Sequence, residues 1–381
     1  MRTSVGVSSI LALVLVLTMA LPVTALDSDD DGLADDFETR WGLTSPDLAD
    51  SDGNGLIDAA EDHDGDRLGA LGEQRYGTDP GVVDTDGDGV SDGDEDSDGD
   101  GIIDSRQQDQ RPAPAGLHPE PKAAWWDRPA NYDDVCHGDQ FDPDLHPCVY
   151  GDQESDTNIV LFGDSHALQW LPALTAAADE AGWRVTTLTK AACPPARVLS
   201  GRKDPVAGTS CERWREKALR WLAQEEPDLA ILAGGGRIYK LVDKQGERIP
   251  EEERTQRWQA GLELTLAELP EATRAVVLAD TPFLRTNPAT CLEKSPADLS
   301  ACVTPRSAAI DPAFDLAEGK TARAAGAAYA DLTRVVCPYS PCPVVIGDVM
   351  VWRNRDHITA TFAELLAPSM RDAISEALAG E

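Results

Sequence analysis

The sequence predicts an α/β fold with a parallel sheet across its larger part, preceded by an acidic module with little regular structure. Two observations carry that prediction. From residue 158 to the C-terminus, short apolar runs alternate with longer amphipathic stretches, the rhythm of strands joined by crossover helices. Ahead of them the charge is concentrated. Residues 27–104 hold 27 acidic and 3 basic side chains, a net of −24 out of −35 for the 381-residue chain, and the other −11 is spread over the rest. This balance excludes binding to nucleic acid through its phosphates, and it disfavours an anionic membrane surface. It suits a binder of cations.

The chain opens with Arg2 and an apolar run from Ile10 to Leu21, broken by Pro22 and followed by the small-residue pattern Val23-Thr24-Ala25. The run is short for a membrane span, and residues 1–25 are expected to be a cleaved secretory signal. The mature chain is then expected to be secreted, periplasmic or cell-surface. Eight cysteines fit export: Cys136, Cys148, Cys193, Cys211, Cys291, Cys302, Cys337 and Cys342. They fall into four close pairs, and nearest-neighbour disulfides are the expected pattern, although spacing alone does not fix connectivity. A zinc site is disfavoured because no CxxC pair occurs.

Residues 26–107 repeat one loop register. Asp27, Asp29 and Asp31 precede Gly32 and, at the twelfth position, Glu38. The pattern recurs with Asp50, Asp52, Asn54, Gly55 and Glu61, and with Asp84, Asp86, Asp88, Gly89 and Glu95. Two copies are weaker. Asp62, Asp64 and Asp66 reach Glu73 but carry Arg67 where Gly is expected; Asp96, Asp98 and Asp100 lead to Gly101 but end at Gln107, where Asp104 is a substitute. Alternating carboxylates around a tight turn, closed by a late Glu, are what a hard divalent cation needs. Structural Ca2+ is therefore the expected cofactor of this module. Loop starts at 27, 50, 62, 84 and 96, with Tyr76-Gly77-Thr78-Asp79-Pro80 before one of them, resemble thrombospondin type 3 repeats. That resemblance implies a chain wrapped around a string of calcium ions. Residues 108–130 carry five prolines and are expected to form an extended linker. Within them Trp125-Trp126 is expected to pack on the following domain rather than to stack on sugars.

Residues 131–381 form the expected α/β domain. Strands are predicted at 158–163, 184–188, 229–233, 274–278 and 327–332, and helices at 166–181, 213–224, 255–268 and 359–378. Sites in such sheets lie at the carboxyl ends of strands. At the end of the first strand stands Gly163-Asp164-Ser165-His166, a turn into a helix that lifts a serine hydroxyl into a cleft. The hydroxyl needs a base. Of six histidines, His357 stands at a loop–helix junction near the C-terminus, His166 is tied to the turn and suits a structural or substrate contact, and Asp164 suits a turn role.

These residues resemble the SGNH hydrolase superfamily, most closely the SGNH domain appended to membrane sugar O-acyltransferases. Shared features are Cys136 and Cys148 ahead of the first strand, Phe162 to Ala167, Cys193-Pro194-Pro195, Asp280-Thr281-Pro282, and Cys337 to Cys342 before Asp356-His357. The resemblance implies a three-layer flavodoxin-like SGNH fold and ester chemistry on carbohydrate O-acyl groups, usually acetyl, through Ser165 and His357 with no catalytic cofactor. The implied partners are acylated carbohydrate or cell-surface polysaccharide and a membrane acyltransferase. Two departures stand out. Asn354 occupies the position three residues before His357 where the family has Asp; it can hold the imidazole tautomer but supplies no charge, and Asp356 is the alternative partner of the imidazole. No Asn is evident among the oxyanion donors, so backbone amides of Gly235 and Gly236, or Arg237, are the candidates. The expectation is an exported serine esterase or O-acyltransferase on a calcium-dependent spacer. The rival is a non-catalytic carbohydrate-binding or adhesion protein on the same scaffold.

Overall fold

The structure is a computed structural model describing residues 26–29, 31–99, 101–200, 205–243 and 245–380; the expected signal segment and Asp100 lie outside these residues. Seven strands form the main sheet: β1 (His137–Gly138), β2 (Cys148–Gly151), β3 (Asn158–Gly163), β4 (Arg184–Lys190), β5 (Leu229–Ala233), β6 (Arg274–Leu278) and β7 (Ala328–Ala330). Their order is β1-β4-β3-β5-β6-β7, parallel throughout, with β2 added antiparallel to β4. In the five central strands the first, β3, lies between the second and third, which is the flavodoxin-like order of a doubly wound sheet. Chain direction reverses on either side of β3, so the crevice at its carboxyl end is the topological switch point.

Pleating sends alternate residues of β3 to opposite faces. Ile159 and Leu161 join a core with Ala173, Leu174 and Ala177 of the helix Leu171–Ala181 and with Phe362, Met370 and Ile374 of the two C-terminal helices. Val160 and Phe162 join Trp214, Leu222, Trp258, Leu262 and Phe314 from three helices on the other face. This is the expected three-layer α/β architecture. Two predicted helices are each split. The first becomes Ser165–Leu168 and Leu171–Ala181, the last Ala360–Leu365 and Ala367–Ala379. In both, a proline near the start of the second piece, Pro172 or Pro368, lacks the amide that would continue the helix. Four disulfides join Cys136–Cys148, Cys193–Cys211, Cys291–Cys302 and Cys337–Cys342, the nearest-neighbour pattern.

The acidic module contains short helices, the longest being Asp35–Trp41 and Ala70–Tyr76, around a small core of Leu33, Ala34, Phe37, Ala59 and Ala70. It does not stand away from the α/β domain as a spacer. Leu56 and Ala60 of the second loop are buried in the main core, and the Ser369 hydroxyl donates to the Asn54 carbonyl. Gly55 (φ 92°) lies so close to the C-terminal helices that a Cβ there would meet the Leu365 carbonyl oxygen at 2.5 Å. The expected linker is likewise held down. Leu117 and Ala124 are buried, and the segment bridges Val349 through His118. Apolar side chains in both segments find the main core, which outweighs the extended preference of the prolines. Trp125 and Trp126 do not pack as expected; they are 48% and 68% exposed, with Arg128 over the Trp126 ring.

Candidate active site and candidate metal loops

The site is assembled at the carboxyl ends of β3, β5 and β6. Gly163 must be glycine, because a Cβ there would be driven into the Ala233 carbonyl oxygen of β5. That close approach seats Asp164, which is wholly buried. Its Oδ1 accepts from the His166 amide (2.8 Å), and its Oδ2 accepts from the Gly235 amide (3.1 Å) and the Tyr239 hydroxyl (2.6 Å). Burial raises the Asp164 pKa, a rise opposed by nearby His166 and these donors. Asp164 thus ties the first turn to the third, and the next residue, Ser165, is presented at the start of a helical turn.

Ser165 Oγ lies 3.0 Å from His357 Nε2. His357 Nδ1 lies 2.9 Å from Asp356 Oδ1. With Nδ1–H donating to Asp356, Nε2 is left as the proton acceptor facing the serine hydroxyl. Asn354 does something else. Its Oδ1 accepts from the amides of Asp356 (3.0 Å) and His357 (2.8 Å), so it organises the loop, although the side chain also lies 3.2 Å from His357 Nδ1. The charged partner of the imidazole is the residue beside it, not the one three before it. The loop is pinned from outside as well. Gln169 Oε1 accepts from the Ile358 amide (2.9 Å), and the Thr281 hydroxyl donates to the Asp356 carbonyl (3.0 Å).

Burial, reinforced by His166, lowers the His357 pKa to about 3. Burial favours the neutral form of Asp356, but its bond and attraction to His357 outweigh that and bring its pKa to about 2. His166 is 2% exposed, with Nδ1 2.7 Å from Asp280 Oδ1. Burial opposes its charge, but Asp280 holds the proton on it and its pKa rises to about 9. The His166 and His357 rings are 4.4 Å apart between centroids.

Of the expected oxyanion groups, the two glycine amides are engaged and Arg237 only in part, its Nε being buried without a hydrogen-bond partner among the described residues. The Gly235 amide is spent on Asp164, the Gly236 amide bonds the Gly234 carbonyl (2.8 Å), and Arg237 donates to the carbonyls of Ala309 (2.9 Å) and Thr281 (2.8 Å). Their donors brace the walls of the site. Ser165 stands in the first turn of its helix, where an N–H has no intrahelical acceptor. Gln169, Tyr239 and Thr281 were not among the sequence candidates; they lie dozens of residues from the groups they hold, and no local spacing marks them.

In the acidic module the five loops repeat one geometry. The sixth residue is left-handed in each: Gly32, Gly55, Gly89 and Gly101, and Arg67 with φ 86° in the loop that lacks glycine. Its amide bonds the first Asp in every loop, at 2.8–3.1 Å. At the ninth position, Asp35, Asp58, Asp92 and Asp104 each accept from Ser or Thr at the second, a set of which the sequence register singles out only Asp104. The first, third and fifth carboxylates converge in three loops, with oxygens within 4.8 Å of one another: Asp27/Asp29/Asp31, Asp62/Asp64/Asp66 and Asp84/Asp86/Asp88. Among the described residues, Asp27 Oδ1, Asp29 Oδ2 and Asp64 Oδ2 are buried without a hydrogen-bond partner. Glu38 and Glu73 are each 1% exposed; burial and neighbouring carboxylates push them up to about 7 and about 9. Convergent, desolvated carboxylate oxygens fit a hard divalent cation. In the second loop, Asn54 Nδ2 donates to Asp52 (3.0 Å) and Glu61 (2.5 Å).

A serine hydroxyl held against a histidine at the switch point of a doubly wound sheet defines a nucleophile–base site for acyl chemistry. Residues 135–372 match the family model of the SGNH domain found fused to AT3 domains, and the chain belongs to that family. Family and geometry together make it an enzyme of the esterase or acyltransferase class. No curated protein matches the chain. Among solved structures it is similar to the periplasmic domain of the lipopolysaccharide acetyltransferase of Salmonella ser. Paratyphi A (16% identity, TM-score 0.47, 59% of this chain and 85% of that one). It is also similar to the aryl esterase of M. smegmatis (13%, 0.38, 58% and 99%) and to Est24, a carbohydrate acetylesterase from Sinorhizobium meliloti (11%, 0.36, 58% and 99%).

Proposed function

We propose that the protein is an exported serine esterase or O-acyltransferase acting on carbohydrate O-acyl groups, in particular O-acetyl. The observation that carries this reading is the Ser165 Oγ–His357 Nε2 contact of 3.0 Å, backed by Asp356 at 2.9 Å. Ser165 attacks the acyl carbonyl as His357 takes its proton. The imidazolium formed is stabilised by Asp356 and returns the proton to the leaving sugar oxygen. Water then releases the acyl group by hydrolysis, or a second sugar hydroxyl accepts it by transfer. Four disulfides support export, and the substrate class is the one the family resemblance implies. In transfer, a partner membrane acyltransferase could take the place of the acylated sugar as the source of the acyl group passed to Ser165.

We also propose that residues 26–107 bind structural Ca2+ through the loop carboxylates, in the manner of thrombospondin type 3 repeats. Bound calcium would supply the positive charge that these crowded oxygens lack. The test of the catalytic reading is hydrolysis of an activated acetyl ester by the calcium-loaded protein. Ser165→Ala should lower the rate by about three orders of magnitude or more; an unchanged rate rejects the assignment.

A further inference from the structure

We propose that Asp280 and His166 form a buried ion pair that positions the catalytic imidazole and keeps it in its free-base form, so that the site works in acid. The inference rests on the reading of His357 as the catalytic base and goes beyond it by assigning a second, flanking pair. Asp280 follows β6 and is 5% exposed; His166 follows the nucleophile and is 2% exposed. Among the described residues, the bond from His166 Nδ1 to Asp280 Oδ1 is the only hydrogen bond or ion pair of the Asp280 carboxylate. A carboxylate this buried is costly unless its partner carries a positive charge, so the proton belongs on His166.

That charge then faces the base. The ring centroids are 4.4 Å apart, and a His166 nitrogen, a His357 nitrogen and an Asp356 oxygen lie within 4.8 Å of one another. A second imidazolium at this distance is repelled. The other titratable and charged groups facing the pair are Asp164 and Asp356 on His166, Asp356 and Arg353 on His357, and Asp315 and Glu318 near Asp280, the Glu318 pKa being pushed up to about 8 by burial. Arg353 adds to the repulsion and Asp356 opposes it. The arrangement also fixes position. The His166 ring is clamped by Asp280 at one side, and its carbonyl accepts from Gln169, which in turn holds the Ile358 amide beside His357. His166 and Asp280 are thus positioning residues that act through His357.

The sign of the effect follows. In the wild type His357 remains a base well below the ordinary histidine range, and activity persists in acid. Asp280→Asn removes the counter-charge, His166 loses its proton near neutrality, and His357 becomes easier to protonate. The acid limb of kcat/KM against pH should therefore move up by about one unit or more, a tenfold loss at a pH within that window. A role confined to packing would lower the rate equally at every pH. The double variant Asp280→Asn/His166→Gln replaces the ion pair with a neutral hydrogen-bonded pair and should show the same upward shift, which guards against a misfolded single variant. NMR titration of the His357 imidazole in the Ser165→Ala background, with and without Asp280→Asn, reads the same quantity without turnover. A raised His357 titration in the Asp280→Asn protein supports the proposal even if no ester is hydrolysed, which separates its fate from that of the catalytic reading. An unmoved titration, or a rate loss flat with pH, overturns it.

Discussion

Buried carboxylates in the α/β domain and in the acidic loops are the same chemical group in opposite states. Asp164 takes three donors, Asp280 is matched by His166, and Asp356 by His357. Each has its partner in the chain. In the loops Asp27, Asp29 and Asp64 keep buried oxygens without a partner among the described residues, and Glu38 and Glu73 lie desolvated among other carboxylates. In the first region, the three carboxylates around the site are each matched within the chain. In the second, the proposed calcium would supply the positive charge that these oxygens lack. The two share a boundary, because Leu56 and Ala60 belong to both the second loop and the main core. The missing charge in one region therefore bears on the stability of the other.

The largest effect that sharpens this contrast is expected at Asp356. Asp356→Asn keeps the shape and removes the charge that stabilises the imidazolium, and should cost about 10²–10⁴ in kcat. Asn354→Ala removes the loop-ordering bonds and an uncharged contact with His357 Nδ1, and should cost clearly less. Steady-state kinetics of the two variants decide which residue serves the imidazole; an equal loss would show that the loop, not the charge, matters.

Calcium removal comes next. Chelation should strip the loops of helical structure, followed by circular dichroism, and lower the thermal midpoint of the whole chain rather than of the loops alone. At free calcium a hundredfold above its Kd, one site contributes about 2.7 kcal/mol. A melting curve of the disulfide-bonded domain unmoved by chelation would break the link between the regions.

Two glycines give the smallest and most local comparison. Gly55 and Gly89 hold the same sixth position at φ 92° and 98°, but only Gly55 lies against the C-terminal helices; nothing lies within 4 Å of a Cβ at Gly89. Gly89→Ala should cost about 1 kcal/mol of backbone strain. Gly55→Ala adds a clash with the Leu365 carbonyl and should cost roughly 1–3 kcal/mol more. Equal losses in chemical denaturation would argue against a tight boundary.

Much of this was legible in the sequence where the signal is local. β3, β5 and β6 follow their apolar runs residue for residue, and the loop register reappears in the left-handed sixth positions, even at Arg67. What stayed hidden depends on long-range contact. The exception is the splitting of two helices at Pro172 and Pro368, a local signal that the unbroken apolar periodicity masked. The engagement of Gly235 and Arg237 reflects Asp164 and carbonyls far along the chain, and the choice of Asp356 over Asn354 reflects how one short loop turns. The docking of the second loop is equally invisible, since Leu56 and Ala60 read as ordinary loop residues until the helices they meet are in place.

The central claim is that Ser165 is a nucleophile activated by His357. Its most direct test is covalent labelling of the full, calcium-loaded chain with a serine-reactive phosphonate, mapped by mass spectrometry. The account predicts a single adduct on Ser165 that is lost in Ser165→Ala and strongly slowed in His357→Ala. An unlabelled Ser165 in folded protein, or labelling that is indifferent to His357, would contradict it.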